Sequence, residues 1–120
     1  MSTRYTVYIT DLITDDCGPE REVLEHIADV VALGAVTEEE LHGRIENADA
    51  IMMYHFVTMG RKTLSRLTRC KVVVRVGVGY ESVDIAAARE MAIPVCNVPD
   101  YGTEEVADNA MAHTLALLRG

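Results

Sequence analysis

The segment Lys71-Val-Val-Val-Arg-Val76 is apolar at successive positions rather than alternate ones. A strand with one wet face alternates apolar and polar side chains, so this run belongs at the centre of a sheet covered on both faces. Such sheets are parallel, and each strand is followed by a helix that carries the chain back across the sheet. The chain has no Trp and one Phe. Its core must therefore come from Val, Ile, Leu, Met and Ala, the usual filling of a covered parallel sheet.

The rest of the sequence repeats the strand and helix alternation. Tyr5-Thr-Val-Tyr-Ile9 reads as the first strand, residues 29–35 as a weaker second, Asp49-Ala-Ile-Met-Met-Tyr54 as the third and Ile93-Pro-Val-Cys96 as the fifth. Between them, Gly18-Pro19-Glu20 opens a helix with Pro in its first turn. Thr37 and Glu40 have capping-box spacing ahead of Leu41 and Ile45, so a helix is expected there. Residues 61–67 form a short helix, Asp84 caps another, and Thr103 with Glu104 and Glu105 begins a long final one. Five strands joined by right-handed crossovers predict an α/β fold, a flavodoxin-like doubly wound five-stranded parallel sheet of order 2-1-3-4-5 with helices on both faces.

Ligands of such sheets bind beyond the carboxyl ends of the strands. The loop after the fourth strand reads Arg75-Val76-Gly77-Val78-Gly79. Two glycines flanking one residue let the backbone turn sharply and present consecutive N–H groups to an anion, and Arg75 adds a guanidinium fork. A small carboxylate suits this loop; a plain strand-to-helix turn with a surface arginine accounts for the same pattern. Gly77-Val78-Gly79 also resembles the start of a dinucleotide fingerprint. Ser82 stands at the third glycine position, however, and the segment follows the fourth strand instead of the first. His55, after the third strand, can bond a ligand oxygen or be satisfied by neighbouring backbone. Asn97 is placed to bond across to a neighbouring loop. His26, His42 and His113 read as solvated or satisfied side chains, Met52-Met53 as core, and Glu38-Glu39-Glu40 as a helix N-terminus facing water.

A phosphoacceptor receiver needs acids after the first and third strands and a lysine after the fifth. Only Asp11 is in place, with Tyr54-His55 and Pro99-Asp100 at the other two positions. Flavodoxin chemistry is poorly supported, because Asp11-Leu-Ile-Thr-Asp15 has too little Ser, Thr and Gly character for a phosphate loop. A net charge of −8 disfavours nucleic acid and anionic membrane surfaces as partners. Cys17, Cys70 and Cys96 fit no metal spacing, so free thiols in the cytoplasm and no metal site are expected.

Taken in order, Ala50-Ile-Met-Met-Tyr-His55, Cys70 to Asp84, Ile93-Pro-Val-Cys-Asn-Val-Pro99 and Glu105-Val-Ala-Asp108 resemble the N-terminal half of D-isomer-specific 2-hydroxyacid dehydrogenases, nearest the phosphoglycerate dehydrogenase and C-terminal-binding-protein branch. The resemblance implies a substrate-binding domain over residues 1–102 and a crossover helix over 103–120 that leads toward an NAD-binding domain. It also implies that backbone from Val76 through Gly77 and Val78 to Gly79 receives a substrate carboxylate, with Arg75 and His55 beside it and Val78 approaching the nicotinamide. The family's NAD fingerprint and its catalytic Arg, Glu and His are implied to lie in sequence beyond residue 120. The expectation is thus of a truncated chain, inactive alone, that binds a small 2-hydroxy or 2-keto acid, assigns no catalytic residue and holds no NAD tightly by itself. One branch of the family acts as corepressors, which gives the alternative of a non-catalytic, dimerising interaction module. Ala92 stands where relatives often have Gly, so it must turn left-handed or end its helix differently. Apolar residues around the last helix, Leu115 and Leu118 among them, predict a homodimer.

Overall fold

The computed structural model describes residues 4–120. The elements run β1 (Tyr5–Ile9), α1 (Gly18–Leu24), β2 (Ala28–Ala32), a single 3-10 turn (Glu39–Leu41), β3 (Ala50–Met53), α2 (Arg61–Leu64), β4 (Val72–Arg75), α3 (Ile85–Glu90), β5 (Val95–Asn97) and α4 (Thr103–Arg119). All pairings are parallel and the strand order is β2-β1-β3-β4-β5, the flavodoxin-like order. Side chains alternate between two cores, as the two-residue period of a strand requires. Ile51, Met53 and Val73 point to the larger core, closed by Leu41, Ile45, Leu64 and Ala88. Val7, Ile9 and Val30 point to the smaller one, closed by α1 through Leu24. Helix α1 thus covers the second face over β1 and β2, whereas on β4 only Val73 enters a core and Val72 and Val74 stay half-buried, so the succession of apolar residues there marks a strand that is not fully covered on both faces.

A carboxylate ties the amino-terminal ends of β1 and β3 together. Asp49 accepts the Thr6 N–H at 2.9 Å and receives the Arg69 guanidinium on both oxygens at 2.8 and 2.9 Å. The Thr6 N–H holds its carboxyl below the usual aspartate range against the burial that would raise it, and Arg69 adds to the effect.

The segment from residue 37 to 45 departs from expectation. Only the 3-10 turn forms, and Gly43 at φ 83 breaks any continuation. Glu40 reaches back as in a capping box, but to the Val36 N–H. Glu38 does not face water: its carboxylate accepts the Gly60 N–H at 2.7 Å and the Thr63 hydroxyl. Leu41 and Ile45 are still fully buried, so the apolar spacing marked core without marking a helix. Other boundaries move by a few residues. Strand β2 ends at Ala32, α2 at Leu64, and β5 occupies Val95–Asn97. Cys17, Cys70 and Cys96 are all free thiols, and His42 is satisfied by Thr63 at 3.0 Å.

Helix α3 begins and ends on identifiable bonds. Asp84 Oδ1 accepts the Ala87 N–H at 2.8 Å, the expected cap. At the other end the Ile93 N–H reaches the Ala88 carbonyl and the Ala92 N–H reaches that of Arg89, a Schellman closure that buries Ile93. Ala92 occupies the left-handed position at φ 56, where a Cβ is crowded.

Helix α4 buries none of its residues against the rest of the described chain. All of its residues are exposed, Val106, Met111, Leu115, Leu117 and Leu118 included. The radius of gyration is 16.9 Å, against about 13.6 Å for a compact domain of this length, because this helix projects from the sheet domain. Among the described residues, no helix is long and apolar enough to cross a membrane.

Ala92→Gly removes the crowded Cβ without changing either backbone hydrogen bond of the closure. It is expected to raise stability by about 1 kcal/mol, read as a higher urea midpoint at unchanged slope; a lower midpoint would mean that the left-handed turn at residue 92 carries no strain.

Candidate functional site

The site grows from the carboxyl end of β1. Thr10 and Asp11, the next two residues, are completely buried. Asp11 Oδ1 accepts the Tyr54 N–H at 2.9 Å and the Thr10 hydroxyl at 2.6 Å; Oδ2 accepts the His55 and Phe56 N–H groups, each at 2.6 Å. One carboxylate therefore takes four donors, three of them successive amides of the loop after β3. Burial pushes this carboxyl up, and the four hydrogen bonds more than reverse it, leaving its pKa below the ordinary aspartate value. The same arrangement forces the next residue: the Ile13 N–H returns to the Asp11 carbonyl at 2.8 Å, closing a three-residue turn about Leu12 at φ 67. A leucine there costs on the order of 1 to 2 kcal/mol.

His55, placed by Asp11, meets Arg75 from the end of β4. Arg75 Nη2 lies 3.3 Å from His55 Nδ1. Because arginine only donates, Nδ1 is the acceptor and the neutral ring carries its hydrogen on Nε2. Arg75 Nη1 also donates to the Val76 carbonyl at 3.2 Å, while Nε is buried with no partner among the described residues. The guanidinium lies back over Gly77: a Cβ at that position would fall 1.5 Å from Nη1. Any side chain at residue 77 displaces Arg75, whereas one at residue 79 meets only the flexible end of Glu81.

The glycine loop is anchored through its carbonyls. The Val98 N–H donates to the Gly77 carbonyl at 3.0 Å and Asn97 Nδ2 donates to that of Val78 at 2.7 Å, the loop contact expected of Asn97. In a trans peptide the N–H points opposite to the carbonyl. Anchoring those two carbonyls on the exit of β5 therefore turns the next two N–H groups, of Val78 and Gly79, away from it, and neither has an acceptor among the described residues. The Gly77 N–H is different, being spent on the Arg75 carbonyl at 2.9 Å.

His55, Val76 and Gly77 line a cleft of about 330 Å³ together with Leu12, Tyr54 and Tyr101; Val98 completes it. Val78 is 52% exposed on the loop, and neither it nor Gly79 is part of the cleft wall. The Tyr54 hydroxyl donates to Glu20 at 3.1 Å, and burial first, then this carboxylate, pushes its pKa up to about 12. A larger cleft of about 630 Å³ lies between α3 and β5 and contains neither His55 nor Arg75. No cluster of three potential metal ligands occurs among the described residues. Sequence reasoning missed Asp11 as the organiser, and with it Leu12 and Tyr101 as walls. The available signal was an acid at the end of the first strand facing the residues that follow the third.

Fold and cleft together define a flavodoxin-like α/β domain with a candidate site at the carboxyl ends of β1, β3 and β4. Residues 7–118 match the model of the D-isomer specific 2-hydroxyacid dehydrogenase catalytic domain, and the chain belongs to that family. It is 35% identical over 105 residues to C-terminal-binding protein 1 of Caenorhabditis elegans, covering 87% of this chain and 14% of that protein. It is 31% identical over 113 residues to D-3-phosphoglycerate dehydrogenase of Methanocaldococcus jannaschii, covering 94% of this chain and 21% of that one. The solved 3-phosphoglycerate dehydrogenase of Entamoeba histolytica with bound NAD+ shares the fold at a TM-score of 0.80 and 23% identity, over 92% of this chain and 38% of that chain. This chain thus spans about a fifth or less of the curated relatives it matches.

Proposed function

We propose that this chain is the substrate-binding domain of a D-2-hydroxyacid dehydrogenase and that it holds the carboxylate of a small 2-hydroxy or 2-keto acid. The observation that carries the reading is the pair of unpartnered N–H groups at Val78 and Gly79, held in one orientation by the anchored carbonyls, next to an arginine with an unpartnered buried Nε. In this reading Val78 and Gly79 bind the carboxylate oxygens, Arg75 neutralises them and His55 Nε2 donates to a substrate oxygen. Gly77 serves by giving Arg75 room, and Val76 lines the wall. Residues 1–102 form the binding domain and 103–120 the connection onward.

The nicotinamide cofactor of this reaction accepts or delivers the hydride at the substrate's C2. The described residues contain no cradle for its phosphates: the Gly77 N–H is used internally, and Ser82 stands where a third glycine would be needed. What this chain offers NAD is the exposed Val78 side chain. Alone, it is expected to be catalytically silent. Three free thiols and the acidic surface support a cytoplasmic setting.

Titrating the 120-residue chain with pyruvate should move the amide signals of Val78 and Gly79 more than any others. Arg75→Ala should weaken binding by roughly 1 to 3 kcal/mol, the range of a charge-assisted bond, and Gly77→Ala should do the same by displacing Arg75. Shifts centred outside this loop would reduce it to a turn.

A second reading, as a dimerising interaction module, is favoured by one observation, the complete exposure of α4. We infer that the chain by itself forms a homodimer through Val106, Met111, Leu115 and Leu118. Sedimentation equilibrium at micromolar concentration should show the dimer, with Leu115→Glu shifting it to monomer; a monomer in both cases leaves α4 without a role in self-association.

A further inference from the structure

Leu12 is an apolar residue that is neither in the core nor relaxed. It sits at φ 67 at the centre of a three-residue turn, is 41% exposed and lines the cleft beside His55. Glycine or asparagine would fit that backbone without strain, so the packing of the domain gives no reason for a leucine here. The other rim of the cleft shows the same combination. Asp100 is left-handed at φ 61, and the residue it turns into position is Tyr101, an exposed aromatic that lines the cleft together with Val98. Two strained backbone positions thus present two large apolar side chains to one small cavity.

The charges around the cavity point the same way. No Lys or Arg is among its lining residues, and Arg75 reaches its edge through His55 at 3.3 Å. The acids nearby are Asp11 beneath the loop, Glu20 on the Tyr54 hydroxyl and Asp100 next to Tyr101. A ligand carboxylate seated at Arg75 uses the available positive charge. A second anionic group on the same ligand would lie against apolar walls with carboxylates behind them.

We propose that Leu12 and Tyr101 determine specificity, and that the ligand is a 2-keto or 2-hydroxy acid with an uncharged, apolar side chain rather than a phosphorylated one. The inference rests on the carboxylate reading above, and it separates this chain from its relative named as a phosphoglycerate dehydrogenase.

The test is a set of three titrations of the 120-residue chain followed by amide shifts, with pyruvate, 4-methyl-2-oxopentanoate and 3-phosphoglycerate. The branched acid should bind at least about tenfold more tightly than pyruvate, the effect of added methyl groups in an apolar pocket, and 3-phosphoglycerate more weakly than pyruvate. Leu12→Gly and Tyr101→Ala should each bring the ratio of branched acid to pyruvate within about twofold. Leu12→Gly should at the same time raise the urea midpoint, which rules out damage to the fold as the cause. Pyruvate binding at Val78 and Gly79 without preference for the branched acid, or with tighter binding of 3-phosphoglycerate, overturns the specificity and leaves the carboxylate reading standing. No response of Val78 and Gly79 to any of the three acids overturns both.

Discussion

The architecture of the site depends on one buried carboxylate. Asp11 meets three successive amides after β3 and the hydroxyl of its own neighbour, all within 2.9 Å. A carboxylate is the only side chain with enough acceptor capacity for four donors, and it stays ionised in a buried place because those donors replace the water it has lost. Remove it and three amide donors are left with no acceptor, each costing about 1 to 3 kcal/mol. Asp49 does the corresponding work at the other end of the same two strands. The β1 and β3 pair is therefore pinned at both ends by charge-assisted bonds, and the candidate site is built outward from the Asp11 end.

From that fixed point the geometry propagates by short links. Asp11 places His55, His55 meets Arg75, and Arg75 requires a residue without Cβ at position 77. The glycine loop is set from the other side by Asn97 and Val98, which take its carbonyls and turn its free amides outward. The loop is a peptide surface whose polar groups have been assigned in advance, the condition for binding a small anion without rearrangement. Membership in the D-isomer specific 2-hydroxyacid dehydrogenase family fits a domain of this design.

The sheet was legible because its signals are local. Successive apolar residues in β4 and the Asp84 cap could be read from a few neighbouring positions, and of the two endings open to the helix at Ala92 the left-handed one is present. The site was legible in part. The position of His55 and Gly77 after strands places them in the cleft wall, Arg75 meets His55, and Asn97 makes its expected bond. What escaped were bonds spanning more than 20 residues, which leave no period or motif. Asp11 reaches residues 54, 55 and 56, and Glu38 reaches residues 60 and 63. The second of these shows the cost of a local rule: Thr37 and Glu40 satisfy the spacing of a helix start, yet Gly43 and the long-range bonds of Glu38 leave a single turn. The Gly77 amide, counted as part of the anion site from the pattern alone, is taken up by its own backbone.

The most direct measurement is a carbon-13 titration of the Asp11 carboxyl in the folded chain. If four donors outweigh burial, its midpoint lies below about 3.9, the value for an unperturbed aspartate. The sign of the linkage follows: the bonds stabilise the fold fully above that unfolded-state value, and the contribution is lost as the pH falls through the lower folded-state one. A midpoint at or above 3.9 would show that burial dominates, and that the loop carrying His55 is held by something other than this carboxylate.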